Sequence, residues 1–313
     1  MRQTIFGSRC FSTSIFSGLL LLVASASAST IIPFDPDGAG PDPVVQVSSV
    51  DFKVGNSLYK GIGNLLVNGT PTTVHYAQAS VDGLLDSNGN TIPVNGLGTP
   101  TGFQLTMVLG FTANATISGT TTQYTLGAAP NVNFFQLWYN PTRVADDLAG
   151  TGFDASAGAG AKKILSGFLT SASGGFFRST GANVPYDQFG SDNYSGLNTV
   201  SVVGGGSYEI QVTSTDPAFF DGSLPSNLSF VLTNSSDTTP FRQTNPSQLF
   251  SDGTNPTVVP NLGGINGTGP DFQAQADANA SFDSPIGTPE PSSIVLGAIG
   301  LIGFSVIARR RAA

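Results

Sequence analysis

Apolar side chains recur at every second position through much of this chain. Phe103, Leu105, Met107, Leu109 and Phe111 share one parity, with Gln104, Thr106 and Thr112 on the other. A two-residue period sustained in this way describes a half-buried strand, because successive side chains of a strand leave opposite faces. Val44, Val50, Phe52 and Val54 leave a similar trace, while Val132 to Tyr139 is apolar on both parities, as a central strand would be. Ile164 to Leu169, Phe176-Phe177, Val200 to Val203, Tyr208-x-Ile210-x-Val212 and Leu228 to Leu232 continue the series. Turn clusters such as Asn88-Gly89-Asn90 and Gly204-Gly205-Gly206 separate the runs. The only helical turn expected is a short one at Arg143 to Leu148, after Pro141 and before Gly150. The expected fold is therefore all-β: an antiparallel β-sandwich, jelly-roll-like, over residues 44–233.

The pattern changes at both ends. Arg2 and Arg9, an apolar stretch from Ile15 to Val23 and then Ala24-Ser25-Ala26-Ser27-Ala28 are the three parts of a secretory signal peptide over residues 1–28. Small residues at alternate positions fit cleavage after Ala26 or Ala28, and Ala28 is the preferred site. Residues 29–43 form a turn-rich segment, since Pro and Gly fill Pro33-Phe34-Asp35-Pro36-Asp37-Gly38-Ala39-Gly40. Beyond Leu232 the strand signal fades. Residues 234–288, rich in Asn, Ser, Thr, Gly and Pro, read as a stalk with too little apolar surface to offset the entropy of ordering. The chain finishes with Pro289-Glu290-Pro291, an apolar run from Ile294 to Ala308, and Arg309-Arg310-Arg311. That run is at the short end for a membrane-spanning helix, and the arginines would hold its end on the cytoplasmic side.

Composition narrows the function. Glycine (39) and proline (20) are abundant, and the whole chain carries a net charge of −8. Leaving out Arg2, Arg9, Arg309, Arg310, Arg311 and Glu290 takes that to −12 for the exported body. Such a body does not suit nucleic acid, which is gripped through Lys and Arg on phosphate. The single cysteine, Cys10, lies in the signal peptide, so the body has no disulfide, thiol nucleophile or thiolate metal site.

The order Pro-Glu-Pro, apolar segment, arginine cluster resembles the PEP-CTERM sorting tail of bacterial exported proteins, here residues 289–313. The resemblance implies export by the Sec translocon and signal peptidase, transient membrane retention, and processing near Pro289, Glu290 and Pro291 by an exosortase-type transpeptidase. A second set of motifs is similar to the flocculation-associated PEP-CTERM proteins. It comprises Phe34 to Gly40, Phe135-Gln136-Leu137-Trp138-Tyr139-Asn140-Pro141, Asp146-Asp147-Leu148-Ala149-Gly150-Thr151-Gly152-Phe153, Asp187-Gln188-Phe189-Gly190 and Asp216-Pro217-Ala218-Phe219-Phe220. That resemblance implies a non-enzymatic surface protein that keeps cells within an extracellular polysaccharide matrix, and it carries no catalytic residues.

The residues themselves offer few catalysts. His75, the only histidine, alternates with Val74 and Tyr76 and reads as a strand residue at a surface or half-buried place. No Gly-x-Ser-x-Gly, His-Glu-x-x-His or P-loop pattern occurs. Paired aspartates remain the one route to glycoside hydrolysis. For sugar binding the candidates are aromatic rings that stack on pyranose faces: Tyr186 and Tyr194 in polar loops, with Trp138, Tyr139, Phe176 and Phe177 as further rings, of which Trp138 is better explained by core packing. For calcium, Asp35-x-Asp37-Gly38 has part of a loop spacing, but Ala39 stands at the third ligand place. Asp146, Asp147, Asp154, Asp187 and Asp192 are the other carboxylates available to it. The expected function is an exported, non-enzymatic surface or matrix protein that promotes aggregation through polysaccharide, with no obligate cofactor. The alternatives are a polysaccharide hydrolase and a calcium-dependent carbohydrate-binding module.

Overall fold

The computed structural model describes residues 30–40, 44–61, 68–128, 131–147, 149–178, 184–185, 198–199, 202–220, 229–238, 249–253, 256–258 and 271–283. Strands β1 (Ile32–Phe34) and β2 (Val45–Val47) form a hairpin. They are followed by β3 (Ser49–Phe52), β4 (Gly55–Lys60), β5 (Thr72–Leu85), β6 (Thr91–Ile92), β7 (Gln104–Ser118), β8 (Thr121–Leu126) and β9 (Asn133–Asn140). Then come β10 (Lys162–Arg178), β11 (Val184–Pro185), β12 (Asn198–Thr199), β13 (Val202–Thr215), β14 (Ser229–Thr238), β15 (Leu249–Ser251), β16 (Pro256–Val258) and β17 (Asp271–Asp283).

The all-β antiparallel architecture expected from the alternation is present. Its pairing also closes on itself. Strands β3 and β4 both pair with β5 on one side and β17 on the other, so they act as one strand interrupted at Lys53-Val54. Strands β8 and β9 likewise both lie between β7 and β10. Going round, β3/β4 pairs β5, β5 pairs β7, β7 pairs β8/β9, and these pair β10; β10 pairs β13, β13 pairs β14, β14 pairs β17, and β17 returns to β3/β4. The facing halves pack as the two layers of a sandwich, joined by hydrogen bonds at both edges, which removes the exposed edges an open sheet would have to protect. The jelly-roll order expected from the sequence is corrected to a nearest-neighbour meander. Long strands consecutive in the chain lie side by side in the sheet, β5 with β7, β10 with β13, β13 with β14 and β14 with β17, and β7 with β8 through the hairpin Ser118-Gly119-Thr120-Thr121 with Gly119 at φ 59°, whereas a jelly roll pairs strands distant in chain order.

Two further expectations change. Within residues 234–288, expected as a stalk, the described stretch Asp271–Asp283 is instead the closing strand β17, pairing with β14, β3 and β4, and β14 extends to Thr238. The sequence hid this strand because its inward residues are small, Ala274, Ala278 and Ala280, all buried, with only Phe282 large among its described buried side chains. Alanine carries little apolar signal yet suits the narrow interior of an eight-stranded closed sheet. Of the helical turn expected at Arg143 to Leu148, the described part, Arg143 to Asp147, is not helical, because the backbone N–H groups of Val144 and Ala145 both donate to Gln104 Oε1 at 3.0 Å. A 3₁₀ turn follows instead at Ala155–Ala157, capped by Asp154, whose Oδ1 accepts from Ser156 N at 2.9 Å.

The core is the interior of this closed sheet. Leu105, Met107, Leu109, Phe111, Ala113, Ala115 and Ile117 of β7 all point in and are buried. One end of the barrel, where β3 begins and β17 finishes, is plugged by the N-terminal segment. Thr30 N donates to Phe282 O at 2.9 Å, Asp35 N to Phe219 O at 2.8 Å, and Phe34 packs on Phe220 with ring centroids 5.0 Å apart. Both described termini therefore leave from this near end. Among the described residues no helix is long and apolar enough to cross a membrane; the run Ile294 to Ala308 lies outside them.

Candidate functional site

Inside the barrel lies His75, the one imidazole of the sequence. It is 3% exposed, a correction to the surface or half-buried place expected, because β5 turns its odd positions inward at this level. The rings of Tyr59, Tyr124 and Phe111 lie 4.6, 4.6 and 4.8 Å from it, and Thr73 Oγ1 is 2.8 Å from Nε2. Nδ1 has no hydrogen-bond partner. Burial with no compensating charge lowers its pKa to about 3, so the imidazole is neutral at ordinary pH. Beside it Tyr124 and Tyr208 share a hydroxyl–hydroxyl bond of 2.7 Å. Glycines in the same rung, on the neighbouring strands β10 and β13, make room for that pair: a Cβ on Gly174 would lie 2.3 Å from the Tyr124 hydroxyl, and one on Gly206 2.4 Å from it. The void against His75, bounded also by Tyr59, Met107 and Tyr208, is about 20 Å³. That is room for about one water molecule, not for a sugar.

The outer surface divides into two zones. Toward the near end, outward polar side chains hold overlying loops. Asn56 Nδ2 donates to Asp147 O at 2.8 Å, Gln78 Nε2 to Gly150 O at 3.2 Å, Thr106 Oγ1 to Phe153 O at 2.8 Å, and Gln136 Nε2 to Gly253 O at 2.7 Å. Phe153 and Phe250 are buried beneath these loops. A groove of about 180 Å³ lined by Pro36, Asp37, Val45, Pro93, Val94, Asn95 and Phe103 also lies at this end.

Toward the far end nothing described covers the sheet. Three rungs of outward residues run across four strands there: Asn114, Thr125, Ser173 and Ser207; then Thr116, Gln123, Gly175 and Gly205; then Ser118, Thr121, Phe177 and Val203. None of the twelve is charged. Apart from the glycines, which are half-buried, they are exposed, Phe177 and Val203 by 53% each. Among the described residues, the hydroxyls of Thr116, Ser173 and Ser207 and the amide of Gln123 have no hydrogen-bond partner. The signal for this face was in the sequence as the polar half of the alternation, Asn114-x-Thr116-x-Ser118 and Thr121-x-Gln123-x-Thr125. Sequence reasoning, attentive to the apolar half, passed over it.

The residues singled out from the sequence fall as follows. Asp35 and Asp37 are brought together, but as turn formers: Asp35 Oδ1 accepts from Asp37 N and Gly38 N at 3.3 and 3.1 Å, its Oδ2 accepts from Gly40 N at 3.3 Å, and Asp37 Oδ1 accepts from Ala39 N at 3.0 Å. Asp146 Oδ1 accepts from Ala149 N at 3.1 Å, and Asp154 caps its turn. Among the described residues no group of three or more His, Cys, Asp or Glu side chains is arranged to hold a metal ion. Of the aromatic candidates, Phe176 is buried in the core, Trp138 and Tyr139 are half-buried, and Phe177 is exposed. Ala28, Tyr186, Tyr194, Asp187, Asp192, Pro289, Glu290, Pro291, Arg309, Arg310 and Arg311 lie outside the described residues.

Those last positions are where comparison with known proteins speaks. Residues 288–311 match the family model of the PEP-CTERM protein-sorting motif. The chain carries a PEP-CTERM sorting tail. No curated protein and no solved structure matches it. The tail marks an exported, surface-directed protein handled by exosortase-type sorting machinery. Its first matched residue, Thr288, follows the last barrel residue, Asp283, by five positions.

Proposed function

We propose that this protein is an exported, non-enzymatic β-barrel of the cell surface and extracellular matrix that promotes cell aggregation through extracellular polysaccharide. The observation that carries the reading is a PEP-CTERM tail joined directly to a closed barrel. Asp283 and Ile294, the first residue of the apolar run, are eleven positions apart, a stretch of at most about 40 Å when fully extended. Retention is transient in this scheme: the exosortase-type transpeptidase acts near Pro289-Glu290-Pro291 and the barrel passes to the matrix. The placement of His75 supports a non-enzymatic role, since the sole imidazole is enclosed by Tyr59, Phe111 and Tyr124 and meets no nucleophile apart from the hydroxyl of Thr73.

A strain in which residues 289–313 are deleted tests this: loss of flocs is expected, and normal flocs would sink the reading. One observation favours the hydrolase alternative. The carboxyl of Asp51 is raised above its usual range by partial burial and then by Asp82 and Asp277, the kind of acid glycoside hydrolysis employs. Release of reducing sugar from the matrix by the wild-type barrel, abolished in Asp51→Asn, would establish that alternative.

A further inference from the structure

The uncovered face at the far end is the part of the molecule whose surface chemistry folding alone does not require. On the near half, the same outward positions of the sheet take backbone groups of overlying loops. On the far half, Thr116, Gln123, Ser173 and Ser207 present hydroxyls and an amide with no partner among the described residues. Beside them Phe177 exposes 53% of its surface on a sheet whose other phenylalanines are mostly buried. Gly175 and Gly205 adjoin Phe177 and Val203 on the neighbouring rung, so no side chain rises there to screen the ring. The result is a level platform with one open aromatic ring, flanked by groups that both donate and accept hydrogen bonds.

We propose that this face binds a neutral polysaccharide chain, with Phe177 as the platform for a sugar ring and the flanking hydroxyls and amides as its hydrogen-bonding partners. The proposal rests on the polysaccharide reading above and assigns it a surface and a ligand class. Charge selects the ligand. The three rungs hold no cation to meet a phosphate or uronate, and a chain of net charge −8 repels anionic polymers at long range. A polyol requires neither charge and matches groups that donate and accept at once. Size argues against a second copy of the chain. Strands about 4.8 Å apart and rungs about 6.7 Å apart make the platform roughly 14 by 13 Å, close to 200 Å², whereas a stable dimer buries about 800 Å² per partner. An extended sugar chain needs only a few rings in contact. Position agrees, since the face lies on the half of the barrel away from Thr30 and Asp283, where the chain leaves toward its signal and sorting segments.

The test uses the barrel, residues 29–288, whose strands close on one another. Its mobility is measured in native gels containing hydroxyethylcellulose or galactomannan as neutral probes and alginate as the acidic one, beside co-sedimentation with the washed matrix of producing cells. Retardation by a neutral probe but not by alginate is expected. Phe177→Ala should weaken it about five- to tenfold, in line with the loss of one aromatic contact. Gln123→Glu should weaken it without lowering Tm, and Phe168→Ala, an equally simple loss of an exposed ring (40%) nine residues away on the same strand, should leave it unchanged. Wild-type binding that both face variants retain would overturn the face while leaving the polysaccharide reading in place. Retardation by alginate alone, or sedimentation with the matrix without retardation by either neutral probe, would overturn the ligand class. A dimer in sedimentation velocity that Phe177→Ala abolishes would assign the face to self-association instead. Binding to no probe and no matrix would remove both this proposal and the function it rests on.

Discussion

Acid should weaken this barrel through one residue. His75 is buried and neutral, with its pKa lowered to about 3, while in the unfolded chain it titrates near the ordinary 6.5. Between those values the unfolded state binds a proton that the folded state refuses, so stability is full above about pH 6.5 and falls as pH drops toward 3. One pKa unit corresponds to about 1.4 kcal/mol, which makes the loss about 2 kcal/mol at pH 5 and about 4 kcal/mol at pH 3. With a urea m-value of about 2 kcal/mol/M, the midpoint should move by about 1 M between pH 7 and pH 5. Replacing His75 by Phe keeps an aromatic ring among Tyr59, Phe111 and Tyr124 and removes the titrating group. Urea unfolding followed by tryptophan fluorescence, for wild type and His75→Phe at both pH values, isolates its share. Carboxylates held below their usual range, such as Asp86 bonded to Asn90 and Asn88, also lose their effect in acid, but equally in both proteins. Parallel midpoint shifts in the two proteins would refute the reasoning and show that the imidazole reaches water in the folded state.

Other expectations follow from the same packing. Gly206→Ala places a Cβ 2.4 Å from the Tyr124 hydroxyl and should lower stability by about 2–4 kcal/mol through overpacking and loss of the tyrosine pair, whereas Gly69→Ala, with nothing within 4 Å, should change Tm little. Phe250→Ala empties a site 1% exposed beneath the near-end cover and should cost about 3 kcal/mol in a denaturant titration. Asp51→Asn removes a charge that burial and then Asp82 and Asp277 disfavour. It should raise Tm at pH 7, and the gain should vanish at pH 3, where the wild-type carboxyl is protonated in both states.

The long central strands were legible because their inward residues are large. Leu105 to Phe111 and Tyr208 to Val212 alternate strongly enough to set both strand and inward face, and the core lies where that parity puts it. Closure was not legible. Its final strand, β17, presents Ala274, Ala278 and Ala280 to the interior, and alanine reads as neutral in any hydrophobic pattern. The meander was equally hidden, since nearest-neighbour pairing rests on hydrogen bonds between backbones, which no side chain announces. The depth of His75 depended on the ring of neighbours that only closure supplies. For the candidate site, Phe177 was one ring among several on the page of the sequence, and its neighbour Phe176 was indistinguishable from it until the register assigned one inward and the other outward.

Delivery of the barrel to the matrix is tested most directly by the intact mass of the protein recovered from washed matrix of producing cells. The mass expected begins at Ser29 and lacks the residues beyond the Pro289-Glu290-Pro291 region, including Arg309, Arg310 and Arg311. Recovery of a form that still carries those arginines, or confinement of all the protein to the detergent-soluble membrane fraction, would contradict it.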